Sequence, residues 1–249
     1  MALPGIYDAF QHWGKQAVWI YSDPHFSDED LECGIKNRPS DEEQIANINS
    51  CAGRKDTLII LGDVGNIECV RKLRAAYKIL IMGNHDSGAT NYKRERSEMI
   101  VPAADYAFEE IKEITENKYP NWKISIRKTF KISSEGTLEV WFVEADNCLF
   151  DEVYEGALMI GEKLILSHEP VDIPWAMNLH GHVHSKPYGQ KSHHRHFNCC
   201  SDAIGYKPIN LNQWLKQGYL ANIQTIHRET IDRATERKAK RGGKKIGSK

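Results

Sequence analysis

The stretch that decides the fold is residues 56–86, DTLIILGDVGNIECVRKLRAAYKILIMGNHD. Its two apolar runs, in DTLIILGD (56–63) and YKILIMGNHD (77–86), are short, rich in aliphatic residues and bounded by polar turn residues, which predicts two buried strands. NIECVRKLRAA (66–76) between them is predicted as a helix. A strand, a helix and a strand with short connections are typical of a βαβ unit whose parallel sheet is buried on both faces.

The same pattern continues upstream of this stretch. AVWIYSD (17–23) predicts another buried strand. SDEEQIANINSCAG begins with Ser40 and has Glu43 three residues later, the signature of a capping box at a helix start. The first third of the chain therefore reads strand, helix, strand, helix, strand.

The second half is richer in strands. NWKISIRKTF and TLEVWFVEAD predict a two-stranded hairpin within an insertion at 105–150, and four further strands follow, in GALMI, EKLILSHEP (162–170), AMNLHGHVH (176–184) and HRHFNCCSD (194–202). A helix is expected from about Leu211. We predict one domain over 1–232 and a basic, disordered tail over 233–249.

Composition excludes several classes of protein. The chain has 249 residues, is 41% hydrophobic and 27% charged, and carries a net charge of −1, so it has no global attraction to nucleic acid or membranes. No apolar run approaches the roughly 20 residues of a membrane span, and the N-terminus lacks a secretory signal pattern. The six cysteines include no CxxC pair, which argues against a zinc knuckle or disulfide framework. We expect a cytoplasmic protein that does not bind membranes.

Residues able to hold a metal or move a proton follow the predicted strands. They are Asp23, His25, Asp63, Asn84, His85, Asp86, His168, His182 and His184. Taken alone each has an ordinary explanation; Asp63, for example, would suit an Asx-turn or a helix N-cap. Because ligands of α/β sheets bind beyond the carboxyl ends of strands, the coincidence of these residues at successive strand ends is far more specific.

The chemistry of this set indicates divalent metals. Mixed oxygen and imidazole ligands suit Mn²⁺, Fe, Zn²⁺ or Ni²⁺, and the lack of a thiolate makes a structural zinc site a poor fit. Without His85 and Asp86 the set comprises two carboxylates, one carboxamide and four histidines, and seven ligands are too many for one catalytic ion. They suit two ions that share a bridging carboxylate, about 3.5–4 Å apart, as in phosphoryl hydrolysis.

Five short motifs carry a family resemblance. DPH, GDVGN, GNHD, SH and GHVH, in this order, resemble the motifs of the calcineurin-like metallophosphoesterase superfamily. NCCSDAIGYKPINL resembles the closing segment of the small phosphoesterases found in bacteria and their phages. The resemblance covers roughly 17–212 apart from 105–150. It implies an α/β fold in which a two-sheet β-sandwich is flanked by helices in four layers.

The resemblance also implies a role for each residue at the strand ends. The ligands would be Asp23, His25 and His184 for the first ion, Asn84, His168 and His182 for the second, and Asp63 as the bridge. A hydroxide shared by the ions would attack phosphorus in line. His85 would protonate the leaving oxygen or bind the phosphate, with Asp86 holding its ring.

Some residues close to GHVH in the sequence belong to none of the five motifs. His180 matches none of them and is interpreted as a buried strand histidine. SHHRHF (192–197) is interpreted as a solvated loop, in which Arg195 is a candidate contact for substrate phosphate. Cys199 and Cys200 are expected to pack as small hydrophobic residues.

The predicted function is metal-dependent hydrolysis of a phosphoester, with two divalent ions and Mn²⁺ favoured. GDVGNIE lacks the arginine that follows the second-motif aspartate in the protein phosphatase branch, so a phosphodiester is preferred, with a nucleotide or nucleic acid as a candidate substrate. A phosphomonoesterase or a nuclease with the same site is the alternative. The rival from another class is a non-catalytic binding module with this fold.

Overall fold

Parallel strands formed by the three apolar runs lie at the centre of the fold. The computed structural model describes residues 2–29, 37–86, 92–133, 136–184 and 195–225. The central strands are β1 (Val18–Tyr21), β2 (Thr57–Ile60) and β3 (Tyr77–Ile81). β7 (Glu152–Tyr154) and an antiparallel β12 (Ile209–Asn210) complete a five-stranded sheet of order β12-β1-β2-β3-β7. The predicted βαβ half is confirmed.

Two helices cover the outer face of this first sheet. Helix α1 (Asp41–Cys51) begins with the predicted capping box, in which Ser40 and Glu43 each accept a hydrogen bond from the other's backbone N–H. Helix α2 (Ile67–Arg71) is capped at its start by Asn66 and is shorter than predicted. Its end is fixed by Lys78, whose buried Nζ donates to the carbonyl oxygens of Val70 and Leu73.

A second sheet packs against the inner face of the first. It has the order β11-β10-β9-β8, with strands β8 (Leu158–Gly161), β9 (Leu164–Leu166), β10 (Met177–His180) and β11 (His196–Asn198). Strand β10 is parallel to both of its neighbours. The core between the sheets includes Ile20, Ile59 and Ile79 from the first, and Leu164, Leu166 and Leu179 from the second. The predicted two-sheet sandwich is therefore present.

Both ends of the described chain also reach this core. An N-terminal 3₁₀ helix, Asp8–Lys15, places Trp13 in it, and helix α4 (Leu211–Lys216) adds Leu211 and Trp214. The predicted tail, 233–249, lies outside the described residues. Within the described part of the chain, no helix has the length and apolar character needed to cross a membrane.

The insertion is larger than a hairpin. Strands β5 (Lys123–Ser133) and β6 (Gly136–Asp146) form the predicted hairpin, and β4 (Arg96–Pro102) pairs with the other edge of β6. Helix α3 (Phe108–Lys118) precedes β5. Neither β4 nor α3 was predicted from the sequence.

Candidate metal centre

The strand-end residues converge where the two sheets meet. A parallel bridge between Ser22, after β1, and Cys200, after β11, joins the sheets at this edge. Asp23, His25, Asp63 and His182 have φ angles of 54°, 40°, 51° and 67°, in the left-handed region. Such backbone conformations cost free energy in residues other than glycine and are concentrated at functional sites.

The first ligand group consists of Asp23, His25 and His184, whose ligand atoms all lie within 4.8 Å of one another. Oδ1 of Asp23 is 3.9 Å from Nε2 of His25 and 3.7 Å from Nε2 of His184. The Asp23 side chain is fully buried and accepts hydrogen bonds from the Ser22 hydroxyl and the His182 backbone N–H. It is therefore a fixed carboxylate that faces two imidazole nitrogens.

The second group consists of Asp63, His168 and His182, again with ligand atoms within 4.8 Å. Nε2 of His168 lies 2.9 Å from Oδ1 of Asn84, 3.1 Å from Nδ1 of His182 and 3.2 Å from Oδ2 of Asp63. The predicted second set of ligands is thus brought together by the fold.

Asp63 stands between the two groups. Its Oδ2 is 3.5 Å from Nε2 of His25 in the first group and 3.2 Å from Nε2 of His168 in the second. Burial by itself would raise the pKa of Asp63, but the contacts with His168 and His25 and the backbone N–H of His85 outweigh it and hold that pKa well below its usual range. Asp63 is consequently ionised, as a metal ligand must be.

The two ligand groups bring carboxylates and imidazole nitrogens together in an arrangement that a bound cation would stabilise. Nε2 of His25 is buried with no hydrogen-bond partner among the described groups, although two carboxylates face it. Burial lowers the pKa of His168, yet the contacts with Asp63 and Asp23 raise it overall to about 9, so a proton compensates the carboxylates. Oxygen and imidazole donors of this kind fit two divalent ions.

A third cluster of His184, Cys200 and Asp202 is not an equivalent site. The Cys200 thiol donates to Oδ2 of Asp23, and burial raises its pKa far above the usual thiol range. Metal ligation requires the thiolate, so Cys200 serves Asp23 as a hydrogen-bond donor. Cys199 packs in the core between the sheets, as predicted.

Two glycines allow the ligand loops to approach each other. A Cβ on Gly181 would lie 1.9 Å from the Ser22 hydroxyl oxygen and 2.2 Å from Oδ2 of Asp23. A Cβ on Gly83 would lie 2.2 Å from Oδ1 of Asp63. The glycine of GHVH and that of GNHD are therefore required by the position of the carboxylates.

His85 and Asp86 have different surroundings. His85 is exposed beside the cluster, and its ring centroid lies 5.5 Å from that of His25. Asp86 is fully buried, and its carboxylate accepts from the backbone N–H groups of Asp63, Val64 and Gly83. The Tyr92 hydroxyl donates a fourth hydrogen bond to it. These contacts tie the two motif loops together, which differs from the predicted role of holding the His85 ring.

Arg195 and His180 lie apart from the ligand groups. Arg195 precedes β11 and therefore lies at the amino end of a strand whose carboxyl end faces the cluster; it pairs with Asp172 at 3.1 Å. The structure thus does not bring it to the candidate phosphate position. His180 is fully buried, with its ring 5.6 Å from that of His196, and burial lowers its pKa to about 4. It is the buried strand histidine that was predicted.

The structure adds three residues that the sequence did not single out. Asp28 lies 3.1 Å from Nδ1 of His25, and Asp202 lies 3.3 Å from Nδ1 of His184. Arg38 donates to the carbonyl oxygens of Pro24 and His25 and so supports the first ligand loop. Asp202 lies within the quoted closing segment, but nothing in the sequence alone indicates which histidine it contacts.

A cavity of about 200 Å³ opens beside the second group. Its lining is Met82, Asn84, Gly156, Ala157, Ser167, His168, Glu169 and Val171. His168 belongs to both the cavity wall and the second ligand group, and Asn84 lies 2.9 Å from it in the same wall, so the cavity adjoins the proposed metal ligands.

The fold and the two ligand groups place the chain among α/β proteins equipped to hold divalent metal ions. A family model described as calcineurin-like phosphoesterase matches residues 17–201, and the chain belongs to that family. A solved structure of a protein of unknown function from Aquifex aeolicus is similar at 20% identity, over 81% of this chain and 98% of that chain, with a TM-score of 0.48. None of the curated proteins compared with the chain matches it. Family and ligand groups together support a metal-dependent phosphoesterase that acts on a phosphoester.

Proposed function

We propose that the protein is a dinuclear metal-dependent phosphodiesterase. The observation that carries this proposal is the position of Asp63, whose Oδ2 lies within 3.5 Å of an imidazole nitrogen in each ligand group. A carboxylate oxygen between two sets of ligands is the arrangement expected of a bridge between two ions.

The ligands would divide as the family resemblance implies. Asp23, His25 and His184 would hold one ion, Asn84, His168 and His182 the other, and Asp63 both. The ions would be two divalent metals, with Mn²⁺ as the first choice. When bound, they would supply an activated water and neutralise charge on the phosphate. Phosphorus would lie between the groups, with the attacking water opposite the leaving oxygen.

The chain's own residues would complete the reaction. His85 is exposed at the edge of the cluster, where its ring can donate a proton to the leaving alcohol oxygen. Its backbone N–H donates to Oδ1 of Asp63, so the same residue contacts the proposed bridge. Asp86 would act indirectly, because its four hydrogen bonds fix the loops that carry Asp63 and His85.

The preference for a diester has a sequence basis only. The absence of the protein phosphatase arginine from GDVGNIE favours a diester over a phosphoprotein, with nucleotides or nucleic acid as the candidate class. The non-catalytic alternative would be expected to have lost ligands or His85, and this chain retains them all. Free thiols at every described cysteine are in keeping with the cytoplasmic setting that we propose.

The experiment compares bis-p-nitrophenyl phosphate with p-nitrophenyl phosphate. Metal-stripped protein is refilled with Mn²⁺ and assayed beside Asp63→Asn, with Glu139→Gln, at a residue that pairs with Lys128 on the β5–β6 hairpin, as a control of equal charge change. We expect diester turnover that Asp63→Asn abolishes and Glu139→Gln keeps. Faster turnover of the monoester than of the diester would favour a phosphomonoesterase instead. Absence of turnover of both substrates with Mn²⁺ bound would favour the non-catalytic binding module.

A further inference from the structure

Both imidazoles of the first ligand group are supported from behind by a carboxylate. Nδ1 of His25 lies 3.1 Å from Oδ2 of Asp28, while Nε2 of the same ring faces Asp23 and Asp63. Nδ1 of His184 lies 3.3 Å from Oδ1 of Asp202, while its Nε2 faces Asp23. The two rings thus have the same orientation, with one nitrogen toward the cluster and the other on a carboxylate.

The second ligand group is built differently. Nδ1 of His168 donates to the backbone carbonyl of Leu61 at 2.9 Å, and the nearest described carboxylate on that side is Asp23 itself, at 3.9 Å. His182 turns Nδ1 toward Asn84 and His168 and has an exposed ring. Among the described contacts, neither imidazole has a carboxylate of its own outside the cluster.

This difference has a known physical consequence. A carboxylate that accepts the outer N–H of a metal-bound histidine fixes the ring and its tautomer and increases the electron density at the ligating nitrogen; its loss typically costs 10–100-fold in metal affinity. The Asp202 side chain is 5% exposed and that of Asp28 is 30% exposed. Solvent therefore screens the contact between Asp202 and His184 less than the contact between Asp28 and His25. The first group also has an aspartate of its own, Asp23, whereas the ligand that Asn84 would add to the second group is neutral.

Given the proposed dinuclear site, we propose that Asp28 and Asp202 are positioning residues that make the Asp23–His25–His184 group the tighter of the two metal sites. The first group then fills before the second, and the protein holds one ion at metal concentrations that leave the second group partly empty. Arg38 supports the same group, because its guanidinium holds the loop between Asp23 and His25 through two carbonyl oxygens.

The test is a Mn²⁺ titration of the metal-stripped full-length protein. Free Mn²⁺ is measured by its electron paramagnetic resonance signal, and the heat of binding by calorimetry. We expect two binding events in the unaltered protein. Asp28→Asn and Asp202→Asn should each weaken the tighter event by about 10–100-fold and leave the weaker one unchanged. Glu139→Gln removes the same charge at a residue outside both ligand groups, one that pairs with Lys128, and should change neither event.

His182→Gln assigns the events, because its exposed ring belongs to the second group and it should weaken only the looser one. The inference is overturned if both Asp→Asn variants keep the tight event, or if His182→Gln removes that event. Two Mn²⁺ ions bound with unchanged affinities in the variants would overturn this inference and leave the proposed function standing; no Mn²⁺ bound to the unaltered protein would overturn both. Far-UV circular dichroism checks folding, and the more exposed Asp28 supplies the test if Asp202→Asn does not fold.

Discussion

At the scale of single residues, His85 is an exposed imidazole beside the buried side chains of His25 and Asp63. Hydrogen bonds fix the buried carboxylates around it, whereas the His85 ring is exposed, with its centroid 5.5 Å from that of His25. A residue in this position can be tested separately from the ligands, because its removal should leave metal binding intact.

His85→Gln should lower kcat by about 10²–10⁴-fold for diesters with an alkyl alcohol leaving group, the usual contribution of a general acid. The loss should be much smaller for a p-nitrophenol leaving group, which departs without a proton. Steady-state kinetics on the two kinds of diester, with Mn²⁺ content measured in parallel, checks this. An equal loss on both substrates would indicate a phosphate-binding role instead.

Gly181→Ala should disturb the cluster by crowding the Ser22 and Asp23 side chains. Its methyl group would overlap Ser22 and Asp23, and overpacking of this kind costs about 1–3 kcal/mol. We expect a lower free energy of unfolding in urea and weaker Mn²⁺ binding. Gly53→Ala is the matched control, since its Cβ would meet only the Asp56 carboxylate, at 3.4 Å. Equal stability of the two variants would contradict the crowding that the structure shows.

The convergence of the seven proposed ligands was predictable from the sequence, because each of them follows a predicted strand and the motifs occur in the family's order. The contacts of Asp86 with the Asp63 loop and of Asp202 with His184 depend on how separate loops meet in space, which no local pattern records. Asp202, for instance, lies 18 residues from its partner His184.

At the scale of elements, the insertion is anchored by one ionic cluster. Arg94, before β4, donates to Asp146 at the end of β6 and to Asp151 near β7. These ion pairs join the sheet formed by β4, β5 and β6 to the segment just before β7, the edge strand of the first sheet. Burial would raise the pKa of Asp146, but the hydrogen bonds from Arg94 outweigh it and lower that pKa to about 2.

Asp146→Asn should therefore destabilise the protein by about 2 kcal/mol at neutral pH. Because the folded-state pKa lies below the ordinary value of 3.8, the contribution is present above pH 3.8 and is lost as the pH falls toward about 2. Urea unfolding of both proteins across this range should show the difference shrinking. Glu144→Gln, whose ion pair with Arg127 is exposed, should have little effect at any pH. A difference independent of pH would contradict the ionic explanation.

Strands and helices were predicted correctly where a segment carries a clear local signal. The aliphatic runs gave β1, β2 and β3, and the capping box gave α1. Helix α2 ends early because Lys78 binds carbonyl oxygens near its end, a tertiary contact that the sequence does not display. Strand β4 is stabilised by pairing with β6, and its half-buried alternation gives only a weak signal outside that context.

At the scale of the whole molecule, the proposed ligands come from both sheets of the sandwich. Asp23, Asp63 and Asn84 follow strands of the first sheet, while His168, His182 and His184 follow strands of the second. The apolar core joins the sheets through their interior, and the cluster joins them at one edge. Ions bound there would therefore connect the two sheets directly.

Mn²⁺ should consequently stabilise both sheets together. At a free concentration 100-fold above the dissociation constant, one ion adds about 2.7 kcal/mol to the free energy of unfolding. Hydrogen exchange followed by mass spectrometry should show slower exchange of the amides near β1 and β10 alike. Strands β5 and β6 contribute no ligand and serve as the internal control, in which locally opening amides should exchange at an unchanged rate. Slower exchange confined to one sheet would mean that the ions do not link the two.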